Sequence, residues 1–198
     1  MLRLVFDTAT KWLYVALVKD NEVIAYYQFE SDHAHSANFI YTIKTLLRSN
    51  DYTVDDITDI YTGIGPGSYT GQRIALTVAK MLASFKDIKL HQVSSLYFAG
   101  SGYDNQNVSI IFDARRGNCF CGNYGLNEIE DKYRDQEEYL EQIKDFKDLK
   151  IVYEDDFKVN PLKIMEKATL VENVDLLVPN YLRISEAEYN LLHNDKKS

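Results

Sequence analysis

The chain has 198 residues, 45% hydrophobic and 26% charged, with a net charge of −8 and a pI near 5.0. That is enough sequence for one domain or two small ones with a real core, and the acidic balance argues against a protein that grips nucleic acid alone through a basic face. No apolar run approaches the ~18 residues of a membrane span and the start lacks a secretory pattern, so a cytoplasmic protein with no membrane contact is expected.

Leu2 to Asp7 reads as a buried strand ending in an acid and a Thr-Ala-Thr turn. Trp12 to Lys19 and Glu22 to Glu30 follow as strands joined by Asp20-Asn21, a hairpin signal. From Ser36 to Arg48, Phe39, Ile40, Ile43, Leu46 and Leu47 recur at helical spacing. Val54, Ile57 and Ile60 suit either a short helix or the approach to a strand. Next comes Gly63 to Arg73, GIGPGSYTGQR, which holds four of the nine glycines. A helix from about Thr70 to Phe85 follows, with Ala75 and Ala79 small enough for close helix approach.

His91 to Ser94 reads as a brief strand and Ser94 or Ser95 as the cap of a short helix. The polar stretch from Gly100 to Asn107 is the best domain boundary, dividing 1–100 from 101–198. Val108 to Asp113, VSIIFD, then repeats the Phe-Asp strand end of LRLVFD, and Asn118 to Tyr124 is another strand. The repeat suggests a duplicated α/β unit. The acidic region from Glu128 to Lys158 is expected to be mainly a solvated helical face around Gln136 to Phe146, followed by a strand at Lys150 to Tyr153 and a helix opening at Pro161. Leu176 to Arg183, with Pro179, is expected to be extended or an edge strand. Ser185 to His193 suits a last helix.

Several residues could carry chemistry. The glycine loop suits either a phosphate cradle at a helix N-terminus or a tight connection, but it lacks the P-loop Lys-Ser/Thr pair, and Tyr69 breaks GxGxxG. Asp7 and Asp113 at strand ends could form a paired-acid site or could each organise a turn by accepting backbone N–H bonds. His33 and His35 have no HExxH or HxxxH spacing. Cys119 and Cys121 share a strand face where they are poorly placed to bridge. Ser68 is better suited to capping than to nucleophilic attack. Arg73, a cation in the first turn of its helix, where the macrodipole opposes it, points to an anionic partner or to a salt bridge with an acid such as Asp7.

Four motifs in order, FDTAT, GPGSYTGQRI, FDARRGNCF and Pro179-x-Tyr181-Leu182-Arg183, resemble those of the bacterial TsaB (YeaZ) proteins across nearly the whole chain. The resemblance implies an actin-like α/β fold of two RNase-H-like halves, the second one short here. It implies a non-catalytic subunit in making threonylcarbamoyladenosine next to the tRNA anticodon. The implied partners are the metal-bearing paralogue TsaD, the ATPase TsaE, a second copy when alone, and tRNA only through the complex. No cofactor of its own is implied, with ATP or ADP at the interface with partners as the nucleotide to consider. Asp7, Thr8, Gly65, Gly67, Ser68 and Asp113 are then the candidates to face an anion or nucleotide. The two helices of the first half would supply the partner interface, through Phe39, Ile43, Leu47, Thr70, Arg73, Ile74, Ala75, Val78, Ala79 and Leu82. Gln72, where the family has an apolar residue, and Leu76, where it has glycine, depart from the pattern and bear on how closely a partner helix approaches. The alternative is a small ATP-dependent phosphotransferase of the same superfamily.

Overall fold

The computed structural model describes residues 1–30 and 35–183, with side chains from 38 onward in the second stretch. The expected last helix and His193 lie outside the described residues, as do His33 and the His35 side chain. The chain opens as a meander of β1 (Leu2–Asp7), β2 (Trp12–Lys19) and β3 (Glu22–Glu30). Asp20 and Asn21 both take positive φ in the hairpin turn, which short polar side chains tolerate. Then come α1 (His35–Arg48), β4 (Ile57–Gly63), α2 (Tyr69–Lys86), β5 (Lys89–Val93) and α3 (Ser95–Gly100). Val54 to Asp56 form one 3-10 turn leading into β4.

The second half repeats the plan: β6 (Asn107–Asp113), β7 (Asn118–Gly125) and β8 (Ile129–Asp135) form a meander, then α4 (Gln136–Ile143) crosses to β9 (Leu149–Val152). In both halves the first strand pairs antiparallel with the second and parallel with the strand after the helix. The duplication read from the two Phe-Asp ends is thus present in the strand pairing. The second copy stops early: α5 (Pro161–Lys167) leads to β10 (Thr169–Leu170), which pairs with β5 of the first sheet. The sheets run β10-β5-β4-β1-β2-β3 and β8-β7-β6-β9.

Strand alternation sets the layers. Leu13, Val15 and Leu17 of β2 join Phe39, Ile43, Leu46, Leu47, Ala75, Val78 and Ala79 in a core under α1 and α2. Tyr14, Ala16 and Val18 face the other way, into a core shared with Phe98, Ile110, Phe112 and Ile164. A small third core under α4 holds Tyr139, Ile143 and the two free, buried cysteines.

One expectation needs correcting, and of the two alternatives for the Pro179 segment the edge strand is absent. The acidic region contains strand β8, unseen because Ile129, Asp131 and Tyr133 alternate among so many charges that the strand period is hidden; helix α4 ends at Ile143 rather than reaching Phe146. The segment around Pro179 joins no sheet. Its backbone is held instead by the Asn180 N–H donating to the Ile64 carbonyl at 2.8 Å.

Candidate functional site: the glycine loop and its two aspartate turns

The carboxyl ends of β1, β4 and β5 meet at the glycine loop, and Asp7 lies beneath it. Asp7 is 1% exposed. Its Oδ1 accepts the Ala9 amide and its Oδ2 accepts the Ser95 hydroxyl, both at 2.5 Å. Burial raises its pKa to about 6, and the two hydrogen bonds oppose the rise because they favour the charged form. Ser95 Oγ also accepts the Gly65 amide at 2.9 Å, so one hydroxyl ties the strand end to the loop.

The loop closes directly on the Thr-Ala-Thr turn. The Ser68 amide donates to the Ala9 carbonyl at 2.6 Å, and the Thr8 hydroxyl donates to the Gly71 carbonyl at 2.8 Å. Two glycines are required by this contact. A Cβ on Gly71 would stand 1.9 Å from the Thr8 oxygen, and one on Gly67 2.2 Å from the Ala9 oxygen. Loop and turn are thus in direct contact through the Ala9 and Thr8 carbonyls. The peptide before Pro66 is cis, with Gly65 at φ 100°. Ser68 caps α2, accepting the Gly71 amide at 3.3 Å, the role its sequence position suggests.

Asp113 is the counterpart of Asp7 in the second half, accepting the Arg115 amide at 2.7 Å just as Asp7 accepts Ala9. Each aspartate organises its own turn. Asp7 is buried while Asp113 is exposed.

Arg73 makes no salt bridge to Asp7. Its guanidinium packs 3.9 Å from the centre of the Tyr69 ring and donates through Nε to the Tyr181 hydroxyl at 2.6 Å. Tyr69 and Tyr181 stack on each other, so the late Pro-x-Tyr-Leu-Arg motif reaches the glycine loop through Tyr181, while the Arg183 guanidinium donates to the Ala114 carbonyl in the second half.

The expected interface list divides by helix face. Phe39, Ile43, Leu47, Ala75, Val78 and Ala79 are buried in the chain's own core, because the apolar period that identifies them is the period of the inward face. Thr70 and Arg73 are exposed, with Ile74 and Leu82 half-buried. The outward positions absent from the expected interface are Ile40 and Tyr41 on α1 and Met81 and Phe85 on α2, Phe85 being 82% exposed. Leu76 is buried, so it meets the core and not an external helix. Gln72 is also buried, with Nε2 donating to the Gly67 carbonyl at 2.8 Å.

Sequence reasoning missed Ser95, taken there only as a possible cap, because its bond to Asp7 spans 88 positions. It also missed a half-buried junction of the two halves, in which the Tyr124 and Ser94 hydroxyls each donate to one oxygen of Asp131. Among the described residues no His/Cys/Asp/Glu group has the makings of a metal site, and no helix is long and apolar enough to cross a membrane.

Known proteins agree with this architecture. The sequence profile of the TsaD family, described as tRNA N6-adenosine threonylcarbamoyltransferase, matches residues 29–151. The tRNA threonylcarbamoyladenosine biosynthesis protein TsaB of Bacillus subtilis is 30% identical over 99% of this chain and all of its own length. The protein of that name from Escherichia coli is 30% identical over 63% of this chain and 55% of its own. YeaZ from Pseudomonas aeruginosa superposes with a TM-score of 0.60 at 25% identity, over 68% of this chain and 66% of that one. A structure titled as an uncharacterized protein with similarity to peptidase YeaZ from Pseudomonas aeruginosa gives 0.73 at 20% identity, over 92% and 99%. With a relative at this identity matched from end to end, and with the same α/β architecture, the chain belongs to the TsaB (YeaZ) family of tRNA threonylcarbamoyladenosine biosynthesis proteins.

Proposed function

We propose that this chain is a non-catalytic subunit of tRNA threonylcarbamoyladenosine biosynthesis, which acts by binding a TsaD-like paralogue and, within the same assembly, a TsaE-like ATPase. The observation that carries the reading is the closed glycine loop: the acid beneath it has both oxygens engaged by Ala9 and Ser95, and its glycines serve contact with Thr8 and Ala9. A loop used in this way positions α2 instead of a phosphate.

The outward faces of the first-half helices support a docking role. Neither α1 nor α2 contains an Asp or Glu, in a chain with 30 of them, and they expose Ile40, Tyr41, Met81 and Phe85. Exposed large apolar side chains on helices without acidic residues suit an interaction surface. In the absence of its partner the same face pairs two copies of the chain. Any ATP or ADP sits at the interface with the partners and not within this chain.

The test is reconstitution of the threonylcarbamoyl transfer reaction with the TsaD-like and TsaE-like proteins, with and without this subunit. Modification of tRNA should require it, and it should copurify with the paralogue. Equal modification without it would overturn the reading. Tight ATP binding by the isolated chain in calorimetry would favour a phosphotransferase instead.

A further inference from the structure

Arg73, Arg115 and Arg183 are joined by short connections that run from the first half to the second. Arg73 bonds to Tyr181, two residues before Arg183, and Arg183 bonds to the Ala114 carbonyl, one residue before Arg115. All three are exposed, and among the described residues none makes an ion pair with a carboxylate. The acid of that turn, Asp113, uses its Oδ1 to accept the Arg115 amide. This is unusual in a chain of net charge −8, whose lysines do find carboxylates at Lys11, Lys86, Lys144, Lys150, Lys163 and Lys167.

The arginines are also held in place. The Arg73 guanidinium packs against Tyr69 and that of Arg183 lies 5.4 Å from the Tyr133 ring centre. Arg115 and Arg116 take φ of 67° and 57°, a left-handed conformation that costs a residue with a Cβ about 1–2 kcal/mol. Strain of this kind persists where surrounding structure enforces it. Planar guanidinium groups, two of the three set against aromatic rings and none paired with a carboxylate, match the geometry of phosphate oxygens. An exposed tyrosine beside these arginines, Tyr181, suits a nucleic-acid strand better than an acidic protein surface, because a base can stack where a carboxylate cannot.

We propose that Arg73, Arg115 and Arg183, with Tyr69 and Tyr181, form a phosphate-binding patch through which this subunit touches RNA directly. With so few cations on an acidic chain the contact is weak, and it serves to orient RNA within the assembly. This inference draws on the family's tRNA chemistry and does not require the non-catalytic reading.

The test is anisotropy of a labelled, unmodified tRNA transcript titrated with the full chain between about 25 and 200 mM salt. Binding is expected at the low end. The R115A/R183A variant should weaken it at least about fivefold and flatten the log–log salt dependence by about 2, one for each phosphate that is no longer neutralised. The K44A/R48A variant, on exposed positions of α1, should bind within about twofold of the parent. The proposal is overturned by no binding at the lowest salt, by unchanged binding of R115A/R183A, or by an equal loss in K44A/R48A. ATP at matched phosphate concentration should not displace the tRNA; displacement would assign the patch to a mononucleotide and overturn the RNA contact. R115A/R183A should still copurify with the TsaD-like paralogue. Loss of copurification would make the patch a protein interface and overturn the proposal, whereas failure of the paralogue to bind the parent chain would count only against the scaffold reading.

Discussion

Asp7 and Ser95 meet at 2.5 Å beneath the glycine loop, and the same Ser95 hydroxyl accepts the Gly65 amide. Replacing Ser95 by Ala leaves a buried carboxylate oxygen and a buried amide without partners. A buried unsatisfied polar group costs about 1–3 kcal/mol, more when charged, so S95A should lose roughly 2–4 kcal/mol in denaturant unfolding at pH 7. It should also raise the Asp7 pKa further, because the missing bond favoured the charged form.

Asp7 gives the protein a predictable pH response. Its folded pKa, about 6, lies above the ordinary value of 3.8, so between these values the folded state holds the proton more often than the unfolded state does. By linkage, this group's contribution to stability falls as pH rises from about 4 to 6. The D7N variant removes that term. From pH 4 to pH 7 the stability of D7N relative to the parent should therefore shift in the variant's favour, by up to about 3 kcal/mol. A constant difference across that range would mean that the carboxyl is not held up by burial.

Glycines of different kinds should respond differently to alanine. A Cβ on Gly63 would lie 1.5 Å from Asp7 Oδ2 and 2.6 Å from Ser95 Oγ, so G63A must displace the buried hub and should cost more than about 3 kcal/mol. Gly117 has φ of 77° but open space around its Cβ position, so G117A should cost only the backbone term, about 1–2 kcal/mol. Thermal unfolding of the two variants in parallel checks the ranking.

Substitutions on the two faces of the first-half helices should separate stability from assembly. Ile43 is 4% exposed, and I43A should lose about 2–5 kcal/mol through its cavity. Phe85 is 82% exposed, and F85D should leave the melting temperature within a few degrees while reducing copurification with the TsaD-like paralogue and self-association in light scattering. An F85D protein that assembles normally would remove this face from the interface.

Much of the fold was legible because it rests on local patterns. The opening meander, the helix after the glycine loop and the Ser68 cap follow from strand alternation, helical period and a cap followed by a helix, all of which lie within a few residues of one another. The repeated Phe-Asp ends disclosed the duplication for the same reason, since each aspartate binds an amide only two residues away, Ala9 for Asp7 and Arg115 for Asp113. Strand β8 escaped because its apolar side chains are few and its charges dominate the window.

The sequence alone determined the family, the two α/β units and the special backbone of the loop, because motif order and glycine placement are properties of the chain itself. Tertiary structure alone decided what the loop touches. Gly67 and Gly71 admit the Ala9 and Thr8 carbonyls, Ser95 comes from 88 positions away to hold Asp7, and Tyr181 comes from 108 positions away to hold Arg73. It also decided which side of each helix faces outward, since apolar periodicity marks the residues that leave water without saying whether the chain itself or a partner covers them.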